Sequence, residues 1–197
     1  VSTIGKDGFP KSRVVLLKKY TLEGFIFYTN YTSEKGKAIL ENNHICLSFF
    51  WPALEQQIII KGTAEKQAEN LSDGYFESRP DGSKLGAWAS NQSGVVASRE
   101  ELEKNLKNYE QKFEGKEIPR PPHWGGFLVK PISIELPNNI ECTIETTDAA
   151  IKNQTASSSY KPALLDCGIK INVPPFIESG EKIIIDTRTL EYVKRVN

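Results

Sequence analysis

The amino-acid sequence predicts a protein that is mainly β with inserted helices and that ends in a second, smaller β-barrel. Runs of β-branched and aromatic residues, bounded by polar turns, recur through the first two-thirds of the chain. Serines at N-cap positions mark a few helices between these runs. Beyond Leu136 the helical periodicity stops and only short strand-like segments remain, which indicates a separate small barrel.

The elements of the larger part begin with a hairpin over residues 12–30, whose turn lies at 21–24. Ser33 is placed as the N-cap of a short helix that runs through Asn42. A capping-box spacing between Ser98 and Glu101 opens a longer helix. Pro131 favours a sheet edge or a strand end. The other predicted elements are strands at 45–51, 57–64 and 125–135 and helices at 71–78 and 98–113.

The boundary between the two parts is expected at Leu136-Pro137, because a residue that precedes proline is pushed towards an extended connection. This gives one domain over residues 1–135 and another over 136–197. Hairpin-like strand segments are predicted in the second domain at 140–147, 163–173 and 182–196.

Composition and charge limit the classes of partner. The chain has 25 basic and 25 acidic residues among 197, so bulk charge does not favour duplex DNA or an anionic membrane. No stretch is long and apolar enough for a membrane span, and no signal peptide opens the chain, so a cytoplasmic location is expected. Because methionine is absent, we expect that some N-terminal sequence is missing.

The three cysteines, Cys46, Cys142 and Cys167, are odd in number and lack paired C-x-x-C spacing. They therefore indicate neither a disulfide framework nor a zinc site, and reduced buried thiols are expected. His44 and His123 show no metal-ligand pattern, and neither is given a catalytic role. No glycine-rich phosphate loop, nucleophile elbow or H-E-x-x-H motif is present.

A phosphate site is suggested by the window Y-F-E-S-R-P-D-G-S. Tyr75 and Arg79 stand four apart on a predicted helix face, and Ser83 follows a Pro-Asp-Gly turn. A guanidinium, neutral hydroxyls and a lysine such as Lys18 are a suitable set for a phosphate monoester. The alternative is a solvated helix end followed by a turn, with Lys18 as a strand end that faces water.

A second group of polar residues lies at the ends of several predicted strands, where ligands are often held. Each member also has an ordinary explanation as a turn residue, a hairpin end or an exposed amide. Trp51, Trp88 and Trp124 are expected to be core or interface anchors. The group comprises the segment Arg13 to Lys18 with Tyr28, Thr29, Lys35, Gln57, Gln92 and Ser93.

Residues 1–135 resemble the pyridoxamine 5′-phosphate oxidases. The resemblance rests on six ordered motifs: S-R-V-V-L-L-K, F-Y-T-N-Y, L-E-Q-Q-I, Y-F-x-S-R-P-x-G-S, L-G-A-W-A-S-x-Q-S and P-R-P-P-H-W-G-G. It implies an FMN-binding split β-barrel and a homodimer with FMN at the subunit interface. The implied reaction oxidises pyridoxamine or pyridoxine 5′-phosphate to pyridoxal 5′-phosphate, with dioxygen as the electron acceptor.

The resemblance also assigns residues to each ligand. The substrate phosphate would be held by Lys18, Tyr75, Arg79 and Ser83, which is the cluster already suggested by the residues themselves. FMN would be contacted by Arg13, Val14, Val15, Leu16, Leu17, Lys18, Tyr28, Thr29, Lys35, Gln57, Gln92 and Ser93. No residue is assigned to the chemical step itself.

Two departures from the family pattern bear on activity. Where the family usually has Ser-Arg-Lys, this chain has Ser33-Glu34-Lys35. A carboxylate thus replaces a cation expected near the FMN phosphate, which should weaken flavin binding. After Glu135 the family continues with a strand and an Arg-Leu-His-Asp-Arg segment that complete the site, and both are absent.

Residues 136–197 instead resemble the C-terminal OB-fold domain of bacterial elongation factor P, through L-P-N-N-I-E, T-A-S-S-S-Y-K-P-A, V-P-P-F-I and G-E-K-I-I-I-D-T-R-T-x-E-Y-V-K-R-V. The resemblance implies a possible ribosome or RNA contact, with Lys161 and Arg188 as candidates beside the alternative of solubilising surface charges. Leu190 stands where the factor commonly has glycine, so strain is expected in that turn. The two resemblances meet without a linker, which indicates a fusion.

Three hypotheses therefore remain open. The first is an active FMN-dependent oxidase of vitamin B6 metabolism. The second is a flavin- or phosphate-binding relic without turnover, since the usual C-terminal segment is missing. The third is a module that binds the ribosome or RNA through the elongation factor P-like tail.

Overall fold

The structure is a computed structural model that describes residues 1–149 and 160–196. The chain divides into two compact units. The first comprises Val1–Phe49 and Ile59–Glu135, and the second comprises Phe50–Ile58 and Leu136–Asn197. Among the residues described, no helix combines the length and the apolar character that crossing a membrane requires.

Up to Glu135 the chain forms seven strands, with one helix inserted after the fourth strand and three more between the sixth and the seventh. The strands are β1 (Ser2–Ile4), β2 (Pro10–Ser12), β3 (Leu17–Thr21), β4 (Gly24–Asn30), β5 (His44–Trp51), β6 (Gln56–Lys66) and β7 (Trp124–Glu135). The helices are α1 (Glu34–Glu41), α2 (Glu69–Glu77), α3 (Asp81–Ala89) and α4 (Arg99–Lys112), and a 3-10 turn spans Pro52–Leu54.

The seven strands form one sheet in the order β2-β1-β5-β6-β7-β4-β3. β7 pairs antiparallel with both β4 and β6. Phe27 of β4, Phe127 and Val129 of β7 and Ile60 of β6 are almost fully buried. Side chains from β1, β4 and β5 line one common cavity, so the sheet is curled. This architecture confirms the predicted mainly β fold with inserted helices.

The predicted hairpin forms between β3 and β4, but its first strand begins at Leu17 and not at Ser12. Residues 13–16 are a loop, in which Val14 is 96% exposed and Leu16 is 67% exposed. The run R-V-V-L-L lacks the period-two alternation that gives a strand one buried face. The β1–β2 hairpin was not predicted, because its strands are only three residues long.

Pro131 lies in β7, a strand inside the sheet, but at a position where the strand can accommodate a residue that has no backbone N–H. The pairing between β4 and β7 ends at Phe25 and Val129, so Pro131 is flanked by β6 alone. The register between β6 and β7 also shifts at Lys61 and Gly62, opposite this proline. The missing N–H of Pro131 therefore costs the sheet little.

Helix α1 begins where the sequence predicts. The Ser33 hydroxyl accepts a hydrogen bond from the backbone N–H of Gly36 at 3.2 Å and donates one to the carbonyl of Asn30 at 2.7 Å. A Cβ at Gly36 would lie 2.5 Å from the carbonyl oxygen of Tyr31. Only glycine permits this close approach of the first turn to the end of β4.

The segment after α2 differs from the prediction. Helix α2 ends at Glu77, so Arg79 lies beyond it, and the expected Pro-Asp-Gly turn is instead the first turn of a further helix, α3. Pro80 occupies the N-cap position, and Asp81 adds a negative charge to the first turn. A carboxylate at this end interacts favourably with the helix dipole, so a sequence that resembles a turn begins a helix.

Helix α2 is held beside the start of β7 by Arg120. The Arg120 Nε donates to an Asp73 carboxylate oxygen at 2.6 Å, and its Nη1 donates to the Trp124 carbonyl at 2.7 Å. The arginine side chain is only 11% exposed. One planar guanidinium therefore connects the helix to the strand through two charge-assisted hydrogen bonds.

The second unit contains a five-stranded antiparallel sheet in the order β10-β9-β8-β11-β12. Its strands are β8 (Asn139–Thr147), β9 (Lys161–Leu165), β10 (Lys170–Val173), β11 (Lys182–Asp186) and β12 (Glu191–Arg195). β10 also approaches β12, as in a curled sheet that closes towards a barrel. Ile144, Leu165, Ile177 and Ile183 are at most 1% exposed and fill its interior.

The turn between β11 and β12 contains a strained residue. Leu190 has a φ of 57°, although it is not glycine, and its N–H donates to the Asp186 carbonyl at 2.8 Å. The left-handed conformation brings Cβ close to the following carbonyl in any residue with a side chain. The strain expected at this position from the sequence is confirmed.

Replacing Leu190 with glycine is expected to stabilise the second unit by about 0.5 to 1 kcal/mol, because glycine removes the steric cost of positive φ. Thermal unfolding followed by circular dichroism measures the change. Leu190→Ala is the matched control, because it keeps the Cβ and should give no such gain. Equal unfolding temperatures for the glycine and alanine variants would contradict the assignment of strain.

Replacing Arg120 with methionine is expected to cost about 1.5 to 3 kcal/mol, because two charge-assisted hydrogen bonds of a mostly buried group are lost. Unfolding in urea, followed by tryptophan fluorescence, tests this expectation. The control is Arg99→Met, since Arg99 pairs with Glu103 at 2.9 Å on an exposed surface of α4 and should contribute less than about 0.5 kcal/mol. Similar losses in the two variants would refute the anchoring role of Arg120.

Candidate functional site

An aromatic stack lies beside the start of β7. The rings of Tyr28 and Tyr75 are stacked with centroids 3.9 Å apart, and Tyr28 also stacks on Trp124 at 5.3 Å. The guanidinium carbon of Arg79 lies 4.6 Å from the centre of the Trp124 ring, over its face. Strand β4, helix α2, strand β7 and the segment after α2 thus each contribute one side chain to a cluster that we call the arginine-aromatic cluster.

Arg79 is the charged member of this cluster, and part of its hydrogen-bonding capacity is unused. Its Nη1 is buried and has no hydrogen-bond partner among the described residues. Burial lowers the pKa of Arg79, and the nearby Tyr75 opposes that shift. A buried guanidinium donor without an acceptor is costly. An anion that accepted from Nη1 would remove this cost.

Tyr75 and Arg79 lie close together in the structure because both side chains pack on the Trp124 ring. They do not share a helix face, since Arg79 lies beyond the end of α2. Ser83 lies four residues further on, exposed in the first turn of α3. Lys18 is exposed at a register shift between β3 and β4, where Leu17 and Lys19 pair with consecutive residues of β4. Such bulges re-aim side chains and are frequent beside active sites. Within the described chain, Lys18 has no ion-pair partner.

A second cluster joins three of the residues predicted to contact flavin. The Lys35 Nζ donates to Thr29 Oγ1 at 3.1 Å and to Gln92 Oε1 at 2.8 Å, and the Thr29 hydroxyl donates to the same Gln92 oxygen at 3.0 Å. Thr29 and Lys35 are buried. We call these three residues the lysine cluster. They lie on β4, on α1 and in the loop before α4.

The electrostatics of the lysine cluster favour an anion. Lys35 donates only to neutral oxygens, the third being Ser33 Oγ at 3.5 Å. Burial lowers the pKa of Lys35, and the positive charge of Arg13 lowers it further. A phosphate group nearby would supply the charge compensation that these neutral partners do not provide.

The Glu34 carboxylate forms ion pairs with Arg13 and with Lys11. One carboxylate oxygen lies 2.6 Å from Arg13 Nη2, and the other lies 2.6 Å from Lys11 Nζ. Hydrogen bonding to Lys11, with a further contribution from Arg13, lowers the pKa of Glu34. The carboxylate that replaces the expected cation therefore also occupies the guanidinium of a residue predicted to bind FMN.

A cavity of about 390 Å³ opens beside these residues. Four of the residues predicted to contact flavin line it, namely Arg13, Val14, Val15 and Leu17. Its other walls come from β1, β4 and β5 and include Phe25, Phe27, Leu47 and Phe49. The cavity has a mainly apolar lining with Arg13 at its margin, which is the combination that a flat, amphipathic ring with an anionic tail requires.

The remaining flavin predictions fall in several places. Tyr28 belongs to the arginine-aromatic cluster, and burial raises the pKa of its hydroxyl. Ser93 follows Gln92 with a φ of 68°, a conformation that non-glycine residues adopt mainly under local constraint. Leu16 is exposed in the loop of residues 13–16. Gln57 lies on β6 within Phe50–Ile58, which belongs to the second unit.

Two residues of the site were not assigned a role from the sequence. Trp124 was expected to be a core anchor; it is 8% exposed and is also the surface on which the arginine-aromatic cluster assembles. Arg120 positions that tryptophan and Asp73 of α2. The motif P-R-P-P-H-W-G-G contains both residues, and the arginine shortly before a tryptophan in this proline-rich motif was the available signal.

The candidate RNA-contacting residues of the tail already have partners within it. The Lys161 Nζ donates to the Asp148 carbonyl, and Arg188 pairs with Asp186 through two guanidinium nitrogens at 3.0 and 2.5 Å. Hydrogen bonding to Arg188 lowers the pKa of Asp186 to about 2. Contact with RNA through Lys161 or Arg188 remains a prediction. Much of the T-A-S-S-S-Y-K-P-A motif lies outside the described residues.

Comparisons with known proteins match the two parts of the chain separately. The family model for pyridoxamine 5′-phosphate oxidase matches residues 1–113, and that for the C-terminal domain of elongation factor P matches residues 140–195. A pyridoxine/pyridoxamine 5′-phosphate oxidase of Flavobacterium johnsoniae is 63% identical over 151 residues, which are 75% of this chain and 71% of that protein. A relative of the same name from Flavobacterium psychrophilum is 68% identical over 135 residues, 68% of this chain and 63% of that protein.

Solved structures agree on the fold. PhzG from Burkholderia lata, in complex with tetrahydrophenazine-1-carboxylic acid, aligns with a TM-score of 0.62 at 21% identity and covers 100% of this chain and 79% of its own. A pyridoxamine 5′-phosphate oxidase-related, FMN binding protein from Nostoc punctiforme aligns with a TM-score of 0.53 at 12% identity, over 100% of this chain and 85% of its own. The matched sequence and the split-barrel fold together show that this oxidoreductase-like chain belongs to the pyridoxamine 5′-phosphate oxidase family; residues 140–195 are similar to the C-terminal domain of elongation factor P.

Proposed function

We propose that this protein binds FMN and oxidises pyridoxamine or pyridoxine 5′-phosphate to pyridoxal 5′-phosphate, with dioxygen as the electron acceptor. We assign this activity to a domain of residues 1–135 and treat residues 136–197 as a separate elongation factor P-like domain. The observation that carries the proposal is the unpartnered, buried Nη1 of Arg79, stacked over Trp124 beside Tyr75. It supports a phosphate monoester as the ligand.

The substrate phosphate would accept hydrogen bonds from Arg79 and from the Tyr75 hydroxyl. A guanidinium presents its donors in a planar fork that matches phosphate oxygens. The Trp124 ring beneath it holds the guanidinium plane, so little side-chain freedom is lost on binding. Ser83 and Lys18 would complete the phosphate site from the first turn of α3 and the bulge of β3. Fixing the phosphate in this way orients the reacting carbon at the other end of the substrate.

FMN would be held by the lysine cluster and by the residues that line the cavity beside it. Lys35, with Thr29 and Gln92, offers a buried positive charge for the flavin phosphate. Arg13, Val14, Val15 and Leu17 would contact the remainder of the molecule from the cavity wall, with Leu16, Lys18, Tyr28, Gln57 and Ser93 as further predicted contacts. Bound FMN supplies the two-electron acceptor for the reaction, while the protein supplies position and electrostatics.

We also propose that the protein forms a homodimer. Val14 and Leu16 are 96% and 67% exposed in the loop that lines the cavity. Apolar side chains so exposed beside a ligand site support a second subunit that covers them. We also propose a cytoplasmic location, as expected from the sequence.

An inactive flavin- or phosphate-binding protein is the second candidate, because the Arg-Leu-His-Asp-Arg segment that completes the family's site is absent and because Glu34 reduces the positive charge available to a phosphate. Its carboxylate pairs with Arg13 and Lys11 at 2.6 Å, so both cations are partly neutralised before any phosphate binds. The matched region also covers only part of the curated relatives: 71% of the length of the Flavobacterium johnsoniae protein and 63% of that of the Flavobacterium psychrophilum protein. Bound flavin without product formation is the outcome that this candidate predicts.

Purified protein incubated with FMN and then desalted is expected to remain yellow and to form pyridoxal 5′-phosphate from pyridoxamine 5′-phosphate while consuming dioxygen. Flavin absorbance, aldehyde product and oxygen uptake are measured on one sample, and its mass in solution tests the dimer. A colourless sample that forms no product would refute the proposal. A yellow sample without product would select the inactive candidate.

Replacing Glu34 with glutamine is expected to strengthen FMN binding about fivefold, because it removes a negative charge that repels the phosphate and that pairs with Arg13. Quenching of flavin fluorescence measures the dissociation constant at low and at high salt. The control is Glu41→Gln at the other end of α1, where Glu41 pairs with Lys6 at 2.9 Å. An unchanged dissociation constant in Glu34→Gln would show that this carboxylate does not oppose flavin binding.

Replacing Arg79 with methionine is expected to lower kcat/KM for pyridoxamine 5′-phosphate roughly tenfold or more, because a charge-assisted hydrogen bond to phosphate is lost. The FMN content should stay the same. The variant should also lose its preference for the phosphorylated substrate over pyridoxamine. Retention of that preference would exclude Arg79 from the phosphate site.

A further inference from the structure

Three ligand-type side chains of the second unit meet at one end of its sheet. The Sγ of Cys142, a carboxylate oxygen of Asp166 and the Sγ of Cys167 all lie within 4.8 Å of one another. Cys142 is on β8 and is buried at 5% exposure, whereas Asp166 and Cys167 are exposed in the turn between β9 and β10. The three groups thus form a half-open cluster with a buried side and a solvent side.

Backbone pairing holds the cluster together. Ile144 pairs with Leu165 across β8 and β9, and the N–H of Asp166 donates to the Thr143 carbonyl at 2.9 Å. Continuing this antiparallel register places Cys142 opposite Cys167. The turn is closed by the N–H of Gly168, which donates to the Leu165 carbonyl at 2.8 Å. The ligand atoms are therefore brought near one another by paired strands and a tight turn.

We propose that Cys142, Asp166 and Cys167 form a binding site for a thiophilic divalent cation of the Zn²⁺ class. A tetrahedral ion with Zn–S distances of about 2.3 Å requires sulfur atoms about 3.8 Å apart. No pair of these ligand atoms is more than 4.8 Å apart, so small rotations of the two exposed side chains would complete the geometry. Three protein ligands leave a fourth position for water on the solvent side.

The choice of donors selects the metal class. Two thiolates disfavour Mg²⁺ and Ca²⁺, which prefer oxygen ligands, and favour Zn²⁺ and its spectroscopic substitute Co²⁺. Metal binding would release the thiol protons to solvent, since the ligands must be deprotonated. The alternative is a disulfide between Cys142 and Cys167, but a disulfide would not involve the Asp166 carboxylate.

The site is tested on the whole 197-residue chain, fully reduced and freed of metal, by titration with Co²⁺ followed by displacement with Zn²⁺. One equivalent of Co²⁺ is expected to produce a thiolate-to-cobalt charge-transfer band, which Zn²⁺ abolishes. Cys167→Ser and Asp166→Asn should each weaken binding at least tenfold, and both change exposed residues of a turn, so folding should be retained. Cys46→Ser, which changes a thiol of the first unit, should bind as the parent does.

Several results would overturn the proposal. These are the absence of saturable Co²⁺ binding in the reduced parent, unchanged binding in Cys167→Ser, or loss of binding in Cys46→Ser. Failure of the reduced parent to bind, together with air oxidation that lowers the mass by two hydrogens and links Cys142 to Cys167, would assign the pair to a disulfide. Circular dichroism of each variant confirms that the second unit is folded. The flavin content is measured separately, so the result is independent of the proposed oxidase activity.

Discussion

The stacking of side chains on Trp124 is the interaction on which the candidate substrate site depends. Its indole stands at the start of β7, the strand that pairs with both β4 and β6. Tyr28 is distant in sequence from Tyr75 and Arg79, and all three have that ring as their shared surface. Arg120 fixes the backbone at the same point. A change at this tryptophan would therefore disturb strand, helix and guanidinium together.

Two opposite charges a single residue apart set the electrostatics of the candidate flavin site. Lys35 faces inwards to neutral oxygens, whereas Glu34 faces outwards to Lys11 and Arg13. The first turn of α1 thus presents a cation to one side and an anion to the other. Such an arrangement keeps the lysine available to a phosphate while it reduces the surrounding positive field. If the site binds flavin as proposed, its affinity would depend on which of the two charges lies closer to the phosphate.

Local signals in the sequence were sufficient for much of the fold but for less of the site. Ser33 and Ser98 marked their helices correctly because a cap is a contact within one turn. The contact between Lys35 and Gln92 spans 57 residues, so spacing could not reveal it and only the family resemblance placed both residues at one ligand. The first turn of α3 and the loop at 13–16 were misread, because Pro-Asp-Gly suits a turn and R-V-V-L-L suits a strand when neighbours are unknown.

The two outer strands of the first sheet bear on how copies of the chain can associate. β2 is three residues long and begins with Pro10, and β3 carries Lys18 and Lys19 at an irregular register. Short length, proline, bulges and lysine are the features that prevent a free strand from pairing with another chain. Backbone pairing between copies is thereby disfavoured at both margins. The proposed homodimer would therefore form through side-chain surfaces, which would exclude water around the proposed flavin without extending the sheet into a fibril.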